Sequence, residues 1–165
     1  MAVVPTPESV RCELLAETVR RHGRARLRVQ GTSMLPSLRP GDLLQIECRL
    51  PAEIEAGAIV LYAREQRLFA HRLLRKQVLG ALVVRGDRLA RPDPPVRPEE
   101  LLGEVTWVQR GARGFAPARR PGWGAALLRL VSRFSDLPAG LWLRLACPGA
   151  RVPLPEVVAE TVAPR

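Results

Sequence analysis

Residues 29–42 of this 165-residue sequence combine several conformationally restricted residues around one serine and read Val29-Gln30-Gly31-Thr32-Ser33-Met34-Leu35-Pro36-Ser37-Leu38-Arg39-Pro40-Gly41-Asp42. A serine lies between a glycine-led turn and a Met-x-Pro segment, and a Gly-Asp turn follows before the next apolar run. An ordinary connection between two strands does not require so many turn-forming residues. The pattern indicates a backbone shaped to expose one hydroxyl, that of Ser33.

Short apolar runs on both sides of this stretch predict β-strands. Alternation with a period of two begins at Arg24 and continues to Gln30, as in a half-buried strand. Further runs cover residues 43–48, 58–62, 68–74, 81–84 and 102–108, with turn residues between them. Because no helical pattern separates these runs, the sequence predicts a mainly β fold in which an antiparallel sheet coils on itself.

Helical signals flank the predicted sheet. Thr6, Pro7 and Glu8 are typical of a helix start, and basic residues before Gly23 are typical of a helix end. Beyond the sheet, an aperiodic segment precedes a stretch in which arginines alternate with apolar residues. The predicted organisation is an N-terminal helix in 1–23, the sheet domain in 24–109, a basic linker in 110–124, an amphipathic helical segment in 125–147, and an extended or disordered tail in 148–165.

The composition limits the classes of partner. Lys and Arg number 26 against 16 Asp and Glu, which gives a net charge of +10. Such a charge suits nucleic acid, an anionic membrane surface or acidic peptides, and it is equally explained by a GC-rich genome that encodes arginine throughout. Since the arginines are scattered, we expect no nucleic-acid partner. Cys12, Cys48 and Cys147 lack metal-ligand spacing, so we expect neither a metal nor another cofactor.

The sequence also predicts where the protein resides. It contains no secretory signal and no window of about 18 uninterrupted apolar residues, so we expect a cytoplasmic protein without a spanning helix. Trp123, Trp142 and interleaved arginines in residues 123–145 leave open a peripheral contact with the inner face of the membrane. The oligomeric state is not predicted.

Ser33 is a candidate nucleophile, and a serine needs a base to remove its proton. The sequence holds two histidines and a single lysine. His22 lies in the last turn of the predicted helix, where its charge suits the helix dipole and no catalytic role is needed. His71 shares a predicted strand face with Phe69 and Leu73, where a histidine is more often a core residue than a catalyst.

Motifs along the chain resemble those of type I signal peptidases and their LexA-like relatives. Residues 31–42 resemble the first box of that family, Gly-x-Ser-Met-x-Pro followed by Gly-Asp. Residues 71–74, His-Arg-Leu-Leu, resemble the base-bearing strand of the endoplasmic-reticulum and archaeal branch, in which histidine replaces lysine. Residues 86–93 resemble the third box, and residues 102–105 the closing strand. The motifs occur in order across residues 24–108.

The resemblance implies a half-barrel of antiparallel strands and a serine endopeptidase that hydrolyses a peptide bond in a peptide or protein precursor. Ser33 would attack the carbonyl, while His71 would accept the hydroxyl proton and return it to the leaving amine. By resemblance to the histidine-bearing branch, Asp93 is the better candidate to orient His71, with Asp87 in support. Asp87 is explained equally well as a turn residue after glycine.

The candidate nucleophile turn consists of Gly31, Thr32, Met34 and Pro36 around the serine. Signal peptidases place at position 31 a serine that assists the oxyanion hole, so backbone N–H groups would have to suffice here. Met34 either packs beneath the turn or lines a pocket, and Pro36 shapes the turn. A short polar helix stands where membrane-bound relatives carry an anchor, which favours a soluble relative.

Two alternatives share the predicted fold. A LexA-like self-cleaving regulator needs a DNA-binding domain and a cleavage site before the serine, yet 32 residues precede Ser33 and contain no Ala-Gly or Cys-Gly pair. A catalytically silent binding module would use the basic surface, but no basic patch interleaved with aromatic residues supports it. We therefore expect the endopeptidase.

Overall fold

A computed structural model of the chain describes residues 6–122. It contains one α-helix, α1, before seven β-strands. The bounds are α1 Pro7–His22, β1 Arg24–Arg28, β2 Leu43–Glu47, β3 Ile59–Arg64, β4 Arg67–Lys76, β5 Leu82–Arg85, β6 Leu101–Arg110 and β7 Arg113–Phe115. The predicted mainly β fold is confirmed. The predicted helical segment 125–147, the tail 148–165 and the candidate membrane contact 123–145 lie outside the described residues.

Helix α1 has the boundaries that its sequence predicts. Thr6 is the N-cap, and its hydroxyl accepts a hydrogen bond from the backbone N–H of Ser9 at 3.2 Å. Gly23 ends the helix with a φ of 70°, a left-handed conformation that glycine adopts without steric cost. Ala16 and Val19 are buried where the helix packs against β1, β4 and β6. No helix in residues 6–122 is long and apolar enough to cross a membrane.

The seven strands form a single antiparallel sheet that does not close. The strand order is β1-β2-β6-β3-β4-β5, and β7 pairs with the end of β6. Strand β4 divides its length between two neighbours, since Arg67–Arg72 pair with β3 and Arg72–Lys76 pair with β5. Within the described part of the chain, β1 and the first half of β4 therefore each keep one edge without a paired strand.

Two apolar clusters lie on opposite faces of this sheet. Leu61 belongs to the first cluster, with residues of α1 and the turn after β1, whereas Val60 and Tyr62 belong to the second. Because successive strand residues point to opposite faces, His71, which pairs with Val60, lies on the face of the second cluster. Phe69 packs on the same cluster, as the alternation in the sequence predicts.

The segment predicted as a basic linker begins inside the sheet. Strand β6 continues to Arg110, and β7 turns back along it over three residues. A Cβ at Gly114 would lie 2.6 Å from the Trp107 ring, so a side chain there would require this half-exposed indole to shift. The linker prediction is therefore wrong for residues 113–115. A three-residue strand is too short to show a period of two.

Candidate active site

Ser33 lies in the irregular connection between β1 and β2, and the backbone on both sides of it is held. The N–H of Leu35 donates to the carbonyl of Thr32 at 3.2 Å, which closes a turn around the serine. The carbonyl of Ser33 accepts a hydrogen bond from the N–H of Arg88 at 2.9 Å. The position of Ser33 thus depends on its own turn and on the loop after β5.

Gly86 permits this contact between the loop and the serine turn. A Cβ at Gly86 would lie 2.7 Å from the carbonyl oxygen of Ser33, so a side chain there would displace the turn. A Cβ at Gly31, in contrast, would meet no atom within 4 Å. The glycine whose missing side chain makes room for the Ser33 turn is therefore Gly86, from the third box, and not Gly31 of the first box.

Ser33, His71 and Asp93 converge although they come from three separate segments. The Oγ of Ser33 is 3.0 Å from the Nε2 of His71, a normal hydrogen-bond distance. On the other side of the ring, the Nδ1 of His71 hydrogen-bonds to Oδ2 of Asp93. With Nδ1 protonated and donating to the carboxylate, Nε2 is the nitrogen that can accept the serine proton.

A hydroxyl donor from β3 also holds the carboxylate of Asp93. The Tyr62 hydroxyl donates to Oδ2 of Asp93 at 3.1 Å and lies 3.4 Å from Nδ1 of His71. Burial, and then the negative charge of Asp93, raise the pKa of Tyr62, so the phenol stays protonated and remains a donor. The sequence motifs do not predict Tyr62. The available signal was the short connection between the predicted strands 58–62 and 68–74, because strands joined in this way commonly pair and residue 62 then lies near His71.

Arg64, also on β3, holds the backbone that delivers Asp93. Its guanidinium donates to the carbonyls of the two prolines that follow Asp93, at 3.1 and 2.9 Å. It also donates two hydrogen bonds to Glu100, both at 2.8 Å. These hydrogen bonds lower the pKa of Glu100 to about 2. Tyr62 and Arg64, two residues apart on β3, therefore fix Asp93 through its side chain and its backbone.

The second candidate aspartate, Asp87, pairs with the residue after His71. Nε and Nη2 of Arg72 donate to the two oxygens of Asp87 at 2.8 and 2.7 Å, and both side chains are at most 3% exposed. The hydroxyl of Ser37 donates to the same carboxylate at 2.5 Å. Asp87 thus links β4 to the turn after Ser33, while the carboxylate that hydrogen-bonds His71 belongs to Asp93.

A groove of about 510 Å³ opens beside Ser33. The end of β1 and the serine turn line one side, and the first half of β4 lines the other. Most of its apolar lining belongs to the first core cluster, namely Leu27, Val29, Met34, Leu38, Leu44, Leu61, Leu68 and Ala70, and Phe69 and Leu89 line it as well. Both interpretations of Met34 hold, since this side chain is 3% exposed, packs in the cluster and lines the groove.

The other predicted turn residues have simpler places. Thr32 lines the groove and closes the turn through its carbonyl. Pro36 follows a cis peptide bond and borders a smaller cavity, and it does not line the groove beside Ser33. Among residues 6–122, no three His, Cys, Asp or Glu side chains are grouped closely enough to hold a metal ion.

Comparison with known proteins adds no family to this description. The chain matches no protein-family model, and no curated protein is similar to it. The relation to signal peptidases accordingly stays a prediction that the motifs in residues 24–108 carry.

Proposed function

We propose that this protein is a serine endopeptidase that cleaves an extended segment of a peptide or protein precursor. The observation that carries the proposal is the 3.0 Å distance between Ser33 Oγ and His71 Nε2, with Asp93 hydrogen-bonded to the opposite ring nitrogen. A hydroxyl, an imidazole and a carboxylate in this sequence of contacts form the arrangement that activates serine for acyl transfer. The adjoining groove supplies room for a polypeptide.

The reaction follows from these contacts. As Ser33 Oγ attacks the scissile carbonyl carbon, Nε2 of His71 takes the hydroxyl proton, and Asp93 stabilises the imidazolium that forms. The same proton passes to the amine when the peptide bond breaks, which leaves an ester on Ser33. A water molecule then loses a proton to His71 and attacks the ester, and the product acid and the Ser33 hydroxyl are released.

Backbone groups of the serine turn are the candidates for stabilising the oxyanion. Within residues 6–122, the N–H of Ser33 donates to no other residue, so it is available to a developing negative charge on the substrate oxygen. Gly31 contributes no hydroxyl. We therefore assign this role to the backbone, as the resemblance to LexA-like enzymes implies.

The unpaired strand edges suit an extended substrate. The first half of β4 ends at His71 and has a paired neighbour only on its β3 side among the described residues. A peptide that adds to this edge as a further strand gains main-chain hydrogen bonds and passes directly beside the imidazole. Its side chains alternate between the apolar groove and the opposite face of the sheet.

The test is cleavage of a mixed peptide library, with products identified by mass spectrometry. Wild type should produce defined fragments, and Ser33→Ala should reduce the rate about 10³-fold or more, because the nucleophile is absent. Thr18→Ala is the matched control, since it removes an exposed hydroxyl of α1 that lies outside the groove. If Ser33→Ala cleaves at the rate of wild type, the proposal is wrong.

A further inference from the structure

The two strands that border the groove each carry one exposed arginine next to apolar residues. On β1 and just after it, Leu27 and Val29 pack against the first core cluster, and on β4 Leu68 and Ala70 do the same. Their sequence neighbours Arg28 and Arg67 line the groove as well. Strand alternation places these two arginines on the opposite face of the sheet, and both are exposed.

The charges around the groove are mostly positive. Its charged lining residues, besides His71, are Arg11, Arg28, Arg67, Arg88 and a single acid, Glu8. Among residues 6–122, none of Arg11, Arg28 and Arg67 forms an ion pair with a carboxylate. The N–H groups of these guanidinium side chains therefore face solvent or weak partners, as in the bond from Arg28 to the carbonyl of Gly41.

We propose that the groove selects substrate segments in which acidic residues alternate with small or apolar ones. A peptide added to the edge of β4 has the same period of two as the strands beside it. One set of its side chains enters the apolar lining, and the other lies on the face that carries Arg28 and Arg67. Carboxylates in the second set satisfy the arginine charges, whereas lysines there are repelled. This specificity rests on the proposed function, because it takes the groove beside Ser33 as the substrate site.

Binding is measured separately from cleavage, in the full chain carrying Ser33→Ala. The probes are three fluorescein-labelled decapeptides in which valine and alanine alternate with glutamate, with glutamine or with lysine, and anisotropy reports their dissociation constants. Two exposed ion pairs are worth a combined factor of roughly five. The glutamate peptide should therefore bind about fivefold more tightly than the glutamine peptide, and the lysine peptide should bind most weakly.

Charge reversal locates the preference in the groove. Arg28→Glu with Arg67→Glu should abolish the preference for glutamate over glutamine or invert it. The matched control reverses Arg20 and Arg113, which are exposed, lie outside the groove and change the net charge equally. This control should leave the preference unchanged. An equal loss in the control would assign the effect to the overall charge of +10 and would overturn the proposal.

Cleavage by wild type distinguishes the two proposals. If the glutamate peptide binds preferentially but no peptide is cut by wild type, the endopeptidase proposal fails and the charge preference stands. Cleavage of the glutamate and glutamine peptides with equal kcat/KM, together with equal binding, overturns the charge preference and leaves the endopeptidase proposal intact. Failure of all three peptides to bind also overturns the charge preference.

Discussion

Two consecutive residues of β4, His71 and Arg72, each take an aspartate from the segment after β5, yet the two pairs lie in different surroundings. His71 pairs with Asp93, whose side chain is 19% exposed. The other ring nitrogen of His71, Nε2, faces the hydroxyl of Ser33. Arg72 pairs with Asp87, and both side chains are almost fully buried. One pair adjoins an open groove, while the other lies within the protein.

This difference in surroundings indicates which pair is placed to take part in proton transfer. Arg72 also donates to the carbonyls of Gly57 and Ala118 at 2.7 and 2.6 Å, so this buried guanidinium is satisfied by fixed partners. Breaking such a buried ion pair by removing one partner destabilises the fold, and neither member of this pair faces Ser33. The imidazole has a fixed partner on one side and a hydroxyl on the other, which is what proton transfer requires. We therefore expect loss of Asp93 to affect the reaction and loss of Asp87 to affect stability.

Replacing Asp93 should have the largest effect. Asp93→Asn removes the charge that stabilises the imidazolium and favours the wrong ring tautomer, so kcat should fall about 10³-fold or more. The free energy of unfolding should change by no more than about 1 kcal/mol, because the side chain is partly exposed. Steady-state kinetics and urea unfolding of the same preparation measure both quantities. An unchanged kcat would remove Asp93 from the mechanism.

Replacing Asp87 should reverse that pattern. Asp87→Asn leaves the guanidinium of Arg72 buried without its counter-charge, and the free energy of unfolding should fall by about 3–5 kcal/mol. The rate per folded molecule, measured at a temperature where the variant is folded, should fall far less than in Asp93→Asn. Arg72→Met combined with Asp87→Leu should recover part of the stability, because no buried charge then remains. A variant as stable as wild type would contradict a structural role for this pair.

Tyr62→Phe should have a smaller and more specific effect. Loss of one hydrogen bond to a charged group should lower kcat about tenfold. Because the hydroxyl no longer shares the negative charge of Asp93, the imidazolium is favoured and the acidic limb of the pH–rate profile should move to higher pH. Phe69→Leu alters packing on the same tyrosine ring without removing the hydrogen bond and should leave that limb in place. Equal profiles in wild type and Tyr62→Phe would show that the tyrosine serves packing alone.

Acid should weaken the ion pair between Arg64 and Glu100, which supports the loop that carries Asp93. Of the four predicted effects, we expect this one to be the smallest. Arg64 lowers the pKa of Glu100 from 4.5 to about 2, so ionised Glu100 stabilises the fold above pH 4.5 and this contribution is lost as the pH falls toward 2. Wild type should therefore exceed Glu100→Gln in free energy of unfolding at pH 7, and the difference should shrink toward pH 3. Urea titrations at both pH values measure it. A difference independent of pH would contradict the linkage.

The sequence predicted correctly those helices and strands that are determined by interactions between residues close together in the chain. The cap at Thr6, the left-handed Gly23 and the alternation from Arg24 each depend on near neighbours, and the structure has these elements at or within a few residues of the predicted bounds. The short strand β7 was missed because three residues are too few to show a period of two, and its pairing with β6 is a tertiary contact that periodicity does not encode.

The resemblance named Ser33, His71 and Asp93 as one arrangement with Asp87 in support, and in the structure Asp87 pairs with Arg72 instead of His71. Motif order named both aspartates, but only the register of β4 and the path of the loop after β5 decide that Asp93 meets His71 while Asp87 meets Arg72. Tyr62 lay within an apolar run and carried no motif, since its role arises from a hydrogen bond across 31 residues of sequence. Such long-range contacts depend on tertiary packing, which a linear pattern does not specify.

The most direct test of the Ser33–His71–Asp93 arrangement is the rate of covalent labelling by a serine-directed fluorophosphonate, with the modified residue identified by mass spectrometry. Wild type should be labelled on Ser33, because the His71 imidazole accepts the hydroxyl proton as the oxygen attacks phosphorus. Ser33→Ala and His71→Ala should remain unlabelled under the same conditions. Equal labelling of all three proteins would contradict the account.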